Sequence, residues 1–541
     1  MPVHFLNTLR HRASQMTYNS ALYNWSLNAP APDRMIVRPV DPWPGNPEAG
    51  LALCEGVMPG SYTIGSLHGF GWLRDLRAYA HQKGAQSHIA RTQARGMIRQ
   101  WIHENARWNA QSWEPGLLGQ RIALWISTYD FFADCPQETQ QENNAFQDLF
   151  FDSLCKQACH LSRALTPATD NKLYGLSALR AAKGLLYAGL AFEGRESWIE
   201  QALTRLYNEI DAQIAGDGSH KSRSPANLLK ALQLLIDIRM ALSAGGYPTP
   251  EKLQHAIDRT GHALQFFRYH DKKLAVFNGA QEGNADLIES ILTQAGIRGK
   301  GLMRLPSTGF EKISMGRTTI VMDCGKAPLR PYDIQAHAAP LAFEMCYGRE
   351  RLFVNCGTHP SDPEWQSALR ATAAHNTLSL DHRNAFEIRE DGHFSRKSEK
   401  TSALREETKN AILLEASHDG YEPINGMTHR RRLYLAENGD DLRGEDTLTS
   451  VIDPARPIDI TLRFHLHPRV MVSLIRDGQE ALLRLPGGTG WRFQLSAGLL
   501  SLENSIYLGN GTEARKTKQL VIRGQTQSKK SKILWALQKE G

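Results

Sequence analysis

Residues 296–310 read GIRGKGLMRLPSTGF. Glycines stand at 296, 299, 301 and 309 and basic residues at 298, 300 and 304, with no apolar period between them. Such a stretch interrupts regular structure and marks a domain boundary. The fold class follows from how different the chain is on its two sides.

Upstream, from about Ser66 to His270, apolar residues recur at three- and four-residue steps, as in Ala90, Ala94, Met97, Ile98, Trp101 and Ile102. This is the spacing of one helix face. The stretches 117–132, 146–165, 173–192, 198–214, 226–242 and 253–267 repeat it. Short breakers such as Gly216-Asp217-Gly218 and Gly245-Gly246-Tyr247-Pro248 separate them. The pattern predicts seven or eight helices whose short connections make neighbours antiparallel. Residues 181–192, AAKGLLYAGLAF, are apolar nearly all round, as an inner helix sheathed by others would be. Downstream the period changes. TTIVMD (318–323), LAFEMCY (341–347), RLFVNCG (351–357), HNTLSLD (375–381), AILLEAS (411–417), RRLYLAE (431–437), IDITLRFHLH (458–467), ALLRLP (481–486), RFQLS (492–496) and KILWAL (532–537) are short, alternating or β-branched runs ended by turn residues. Ten strands with no long helical interruption predict an antiparallel sandwich or barrel. The reading is an α+β multidomain chain, helical over 1–300 and β over 301–541.

Composition narrows the classes. The chain has 541 residues, 41% hydrophobic and 22% charged, which excludes wholesale disorder and collagen-like structure. A net charge of +7 permits an acidic ligand and does not call for nucleic acid. The seven cysteines are odd in number and lack zinc-finger spacing, so they read as reduced, buried thiols. No apolar run follows Arg10 and Arg12, and the most apolar stretch, 184–192, is far too short to span a bilayer. The expected location is the cytoplasm.

Four places carry candidate chemistry. His337 precedes one strand, Asn355 ends the next, and His375 with Asn376 opens a third. Convergence of His337, Asn355 and His375 would make a zinc-type divalent site, and the same residues would otherwise form a neutral hydrogen-bond cluster. His220, Ser222, Arg223 and Ser224 lie on a turn that starts a helix at Pro225. Arg223 there is suited to a carboxylate or sulfate, or to a capping role. His465 and His467 share one strand face and suit a structural or sugar-contacting role. Trp72, Trp101, Trp108, Trp113 and Trp125 along the helical half suit sugar stacking or core packing.

At these residues the chain resembles the heparinase II/III superfamily of polysaccharide lyases. The resemblance lies in AHAAPLAFEMCYGRERLFVNCGTHP (336–360), WQSALRATAAHNTLSLD (365–381), HDGY (418–421), HRRRLYL (429–435) and FHLHP (464–468). In the helical half it lies in LHGFGWLRDLRA (67–78), LLYAGLAF (185–192) and DGSHKSRSP (217–225). It implies an N-terminal α/α toroid, an incomplete helical barrel, followed by a C-terminal antiparallel β-sandwich. It also implies an acidic polysaccharide or oligosaccharide bound in a cleft between them. As an alternative to the cytoplasm, it implies the periplasm or cell envelope of a bacterium. A dimer is compatible with it.

The implied activity is that of a carbon–oxygen lyase working by β-elimination on uronate. Such an enzyme must neutralise the uronate carboxylate, remove the C5 proton and protonate the leaving O4. The family's His-x-His strand motif matches Gln335 and His337, its metal Asp matches Asn355, and its later metal His matches His375. Its catalytic Tyr falls at Asn227, and its Asn-His pair falls near Leu176 and Ser177. The implied machinery is therefore rearranged or lost. A rearranged lyase would use His220 or Tyr174 as base and Arg223 or His337 for the carboxylate, with Gln335, Asn227, Asn376 and His465 contacting substrate. The alternatives are a hydrolase, or a catalytically silent carbohydrate-binding or exopolysaccharide-assembly protein that keeps the fold.

Overall fold

The computed structural model describes residues 17–28, 32–60, 62–83, 87–135, 137–166, 173–299, 301–496 and 498–540. By contacts the chain forms two compact units. One comprises 1–212 with 231–257, and the other 213–230 with 258–541.

The first unit is helical. Helices include Ser87–Glu104, Pro115–Ser127, Gln140–Ala164, Gly175–Ala191 and Glu196–Gln213. Gly175–Ala191 is the inner helix that its all-round apolar sequence predicts, with Ala178, Leu179 and every residue from Ala181 to Ala191 buried. It lies so close to Pro115–Ser127 that a Cβ on Gly184 would come within 2.3 Å of Gly119. Only glycine permits that approach. Lys183, buried within it, is neutralised by Asp237 at 2.5 Å. The tryptophans serve packing: Trp72, Trp101, Trp113 and Trp125 are buried, and Trp101 meets Trp125 edge to face at 5.7 Å. Tyr174 is the N-terminal flank of the inner helix and is 44% exposed.

The second unit is built from antiparallel sheets. A five-stranded meander runs Arg304–Leu305, Phe310–Met315, Thr318–Asp323, Phe343–Tyr347 and Glu350–Phe353 in sequence order. An eight-stranded sheet has Ala411–Tyr421, Met427–Ala436, Asp441–Thr449 and Lys530–Lys539 as successive neighbours. A four-stranded sheet is ordered Leu499–Tyr507, Arg515–Thr526, Ile458–His465 and Leu378–Leu380. Their inner faces share one apolar core. Phe343 and Phe493 stack on Trp535 at 8° and 14°, each with ring centres 5.9 Å apart. Trp535 pairs across the ladder with Gly444, where a Cβ would lie 2.0 Å from the indole.

The strand runs predicted from the sequence are present, with ends shifted by a few residues. The sequence reading passed over Phe310–Met315, Thr401–Glu407, Asp441–Thr449, Leu499–Tyr507 and Arg515–Thr526. Several of these carry charge at alternate positions because one face is solvated. It also passed over helices Pro47–Cys54 and Ala285–Gln294. All seven cysteines are free, five of them buried. No helix among the described residues is long and apolar enough to cross a membrane.

Candidate functional site

Within the second unit the sequence Phe277-Asn278-Gly279-Ala280 makes a tight turn, closed by Ala280 N–H to Phe277 O at 3.0 Å. Asn278 and Gly279 take φ of 46° and 74°, which Asn and Gly tolerate best. The turn organises the candidates. Asn278 donates from Nδ2 to Arg223 O at 3.1 Å and accepts the His337 N–H at 3.0 Å, so it ties the helix-start turn to the His337 segment ahead of Phe343–Tyr347.

The next backbone N–H, of Gly279, donates to His337 Nε2 at 3.0 Å. That fixes the tautomer. His337 carries its proton on Nδ1 and donates to His375 Nε2 at 2.7 Å, and His375 Nδ1–H donates to Ala371 O at 2.8 Å. The chain of bonds is closed: all four ring nitrogens are used, and both rings are buried. Burial drives both pKa values down, that of His375 to about 4, so the pair is neutral. Asn355 is equally committed, donating to Val276 O at 3.0 Å and accepting Asn376 N–H at 3.3 Å. Asn376 in turn accepts the His465 N–H at 2.6 Å and donates to Phe343 O at 2.8 Å.

A zinc-type ion needs free imidazole lone pairs about 2.0–2.1 Å from the metal. His337 and His375 face each other at hydrogen-bond distance, and Asn355 supplies no anionic oxygen. The residues present do not fit the expected ion. No cluster of three or more His, Cys, Asp or Glu suited to a metal occurs among the described residues.

His220, Arg223 and His465 are committed in the same way. His220 Nδ1 accepts Ser222 N–H at 3.1 Å, which leaves Nε2–H to donate to Gln213 Oε1 at 3.1 Å. Burial holds this ring neutral, with its pKa near 4. Arg223 is buried at a left-handed φ of 62° and held by Thr308 O and by an ion pair with buried Asp323. Its charge is matched inside the protein. His465 accepts from Ser505 Oγ at 2.7 Å on Nδ1 and donates from Nε2 to Ala373 O at 3.0 Å; burial lowers its pKa to about 3. Tyr174 belongs to the first unit.

Beside the His337 segment runs a groove of about 590 Å³. Asn227 and Lys230 line it from the helix start, Gln281 from beyond the turn, and Gln335 and His337 from the strand approach. His359, Gln366 and Arg370 line it from around the short helix Pro363–Leu369, and residues 388–392 from a hairpin. Of the sequence candidates, the groove gathers Asn227, Gln335 and His337. No tyrosine lines it among the described residues. His359, which sequence reasoning missed, accepts Asp362 N–H at 2.8 Å on Nδ1, so its lone pair is also spent. The lining carboxylates are Glu390 and Asp391, and the N–H of His393 holds Asp391 below the usual carboxylate range. The lining offers amides and cations for binding a polar chain. It offers no buried base poised to take a carbon-bound proton.

Comparison with known proteins places this geometry in a family. Residues 66–296 match the heparinase II/III N-terminal family and residues 297–536 the heparinase II/III-like C-terminal family. FtsZ-localized protein C of Caulobacter vibrioides is 30% identical over 557 aligned positions, covering 96% of this chain and 93% of that protein. Among solved structures, heparinase III superposes with a TM-score of 0.69 at 15% identity, covering 87% of this chain and 76% of that one. Heparan sulfate lyase HepC from Pedobacter heparinus superposes at 0.61 and 16%, covering 97% and 85%. The shared fold is a helical toroid followed by an antiparallel β-sandwich. The chain belongs to the heparinase II/III family.

Proposed function

We propose that this protein is a catalytically silent member of the family, which holds a polysaccharide or oligosaccharide strand in the groove without cleaving it. One observation carries the reading. Every imidazole offered by sequence for proton transfer is neutral, buried and saturated by bonds to its own protein. The Arg expected to neutralise a uronate already has Asp323. β-Elimination needs a base at C5 and a carboxylate neutraliser, and these side chains supply neither. The lining amides of Asn227, Gln335 and Gln366, by contrast, suit the hydroxyls of a sugar chain. The test is a panel of uronate-containing polymers, with binding followed by calorimetry and reaction by ultraviolet absorbance of the new double bond. Binding without absorbance change is the expected result. Sustained growth of the signal would establish a lyase instead.

A second reading concerns where the protein works. The relative from Caulobacter vibrioides is named for its localisation to FtsZ, and the alignment runs along nearly the whole of both chains. We infer that this protein also gathers at FtsZ assemblies in the cytoplasm. A fluorescent fusion at native level is expected to track FtsZ rings and to disperse when FtsZ is depleted. A diffuse signal in dividing cells would remove this reading.

A further inference from the structure

Arg370 ends the short helix beside the groove, and its guanidinium is held by carbonyls and lies over the Phe394 ring, 5.7 Å from its centre. Nε donates to Ala336 O at 2.7 Å, and Nη2 donates to Asp333 O at 3.2 Å and Gly392 O at 2.8 Å. All three acceptors are neutral carbonyls. Nη1 makes no hydrogen bond among the described residues, and Arg370 lines the groove. The side chain is 8% exposed, yet no carboxylate forms an ion pair with it among the described residues. The nearby carboxylate, Asp333, attracts the guanidinium through space but makes no ion pair with it: its oxygens take His393 Nδ1–H at 2.6 Å and Phe394 N–H at 3.1 Å.

This contrasts with the other buried arginines of the unit. Arg223 is matched by Asp323, Arg351 by Asp271 and Arg431 by Asp446. A buried cation is ordinarily matched inside the fold, because removing it from water is costly. A guanidinium that is pre-oriented by carbonyls and makes no direct ion pair is arranged to take an anion from outside.

We infer that Arg370 is the anion-recognising residue of the groove and that it selects a uronate carboxylate on the bound glycan. This rests on the glycan-binding reading above and adds the residue that sets its specificity. Arg389, also on the lining, already lies 3.7 Å from Asp391, and Lys230 lines the groove from the helix that starts at Pro225.

The experiment compares two probes on the full-length protein: a hyaluronan oligosaccharide, and the same oligosaccharide with its uronates reduced to neutral hexoses. The acidic form is expected to bind about tenfold or more tighter, the scale of a charge-assisted hydrogen bond. Arg370→Gln is expected to abolish that preference while leaving the weaker binding of the reduced form in place. Arg389→Ala is expected to keep the preference. Equal binding of both forms to the unsubstituted protein would overturn the assignment while leaving glycan binding intact. A preference that survives in folded Arg370→Gln would overturn it too. If neither form binds, the glycan reading itself fails and the subsite falls with it. Should Arg370→Gln not fold, Arg370→Lys replaces it: the charge then remains but the fork is lost, so a weakened preference is expected and an unchanged one would contradict.

Discussion

The residue that best explains the site is one that sequence logic could only bracket. His337 and His375 are legible as candidates from their places ahead of the strands Phe343–Tyr347 and Leu378–Leu380, and the structure brings them together at 2.7 Å. Whether such a pair ligates a metal or bonds to itself depends on what else reaches the rings. Here the answer comes from the Gly279 N–H and the Ala371 carbonyl, backbone groups that no residue pattern announces. The Asn278-Gly279 turn is not among the breakers read from the sequence, and its partners Arg223 and His337 are set only by the fold. Arg370 lies within the 365–381 motif, and its lack of a direct ion pair becomes visible only when the Asp333 oxygens are placed on His393 and Phe394.

The same commitment has a measurable consequence at the level of single side chains. His220 and His375 titrate near 4 and His465 near 3 because burial penalises their charged forms. An unfolded imidazole titrates near ~6.5. Between about pH 6.5 and 4 the unfolded chain therefore takes up protons that the folded chain refuses. The stability these residues contribute is full above that window and is lost as pH falls through it, by at most ~1.4 kcal/mol per pH unit for each. The urea midpoint is expected to be clearly lower at pH 5 than at pH 7.5. Equal midpoints would show that the rings are not buried neutral.

At the scale of elements, sequence carried furthest where one physical cause dominates. The inner helix Gly175–Ala191 was legible because an all-round apolar surface has no other use in a chain of this composition. The strands that escaped, such as Asp441–Thr449, alternate a packed face with a charged one. In that strand Leu442, Asp446 and Leu448 are buried while Arg443 is exposed. A buried Asp446, bonded by His429, Arg431 and Trp535, spoils the apolar period. Gly444 in the same strand makes room for the Trp535 indole, so Gly444→Ala is expected to cost ~1–3 kcal/mol through overpacking. A denaturation midpoint unchanged by that substitution would mean the strand register is wrong.

At the scale of the whole molecule, the proposed function parts from the fold. The architecture is that of polysaccharide lyases, and the groove keeps amides and cations suited to a sugar chain. The positions where the family resemblance expects acid–base groups hold Asn227, Leu176 and Ser177, and the candidate imidazoles His220, His337 and His375 are bonded internally. Sequence could show the replacements. It could not show that the substitutes were spent, because a spent lone pair is a property of three-dimensional neighbours. A fold can outlive its chemistry when the groove still binds.

The most direct measurement is mass spectrometry of a defined acidic oligosaccharide after prolonged incubation with excess protein. The chain recovered at its starting mass, with no fragment ending in an unsaturated uronate, is what a silent binder requires. Fragments carrying that unsaturated end, formed in proportion to protein and time, would contradict the account and return catalysis to this groove.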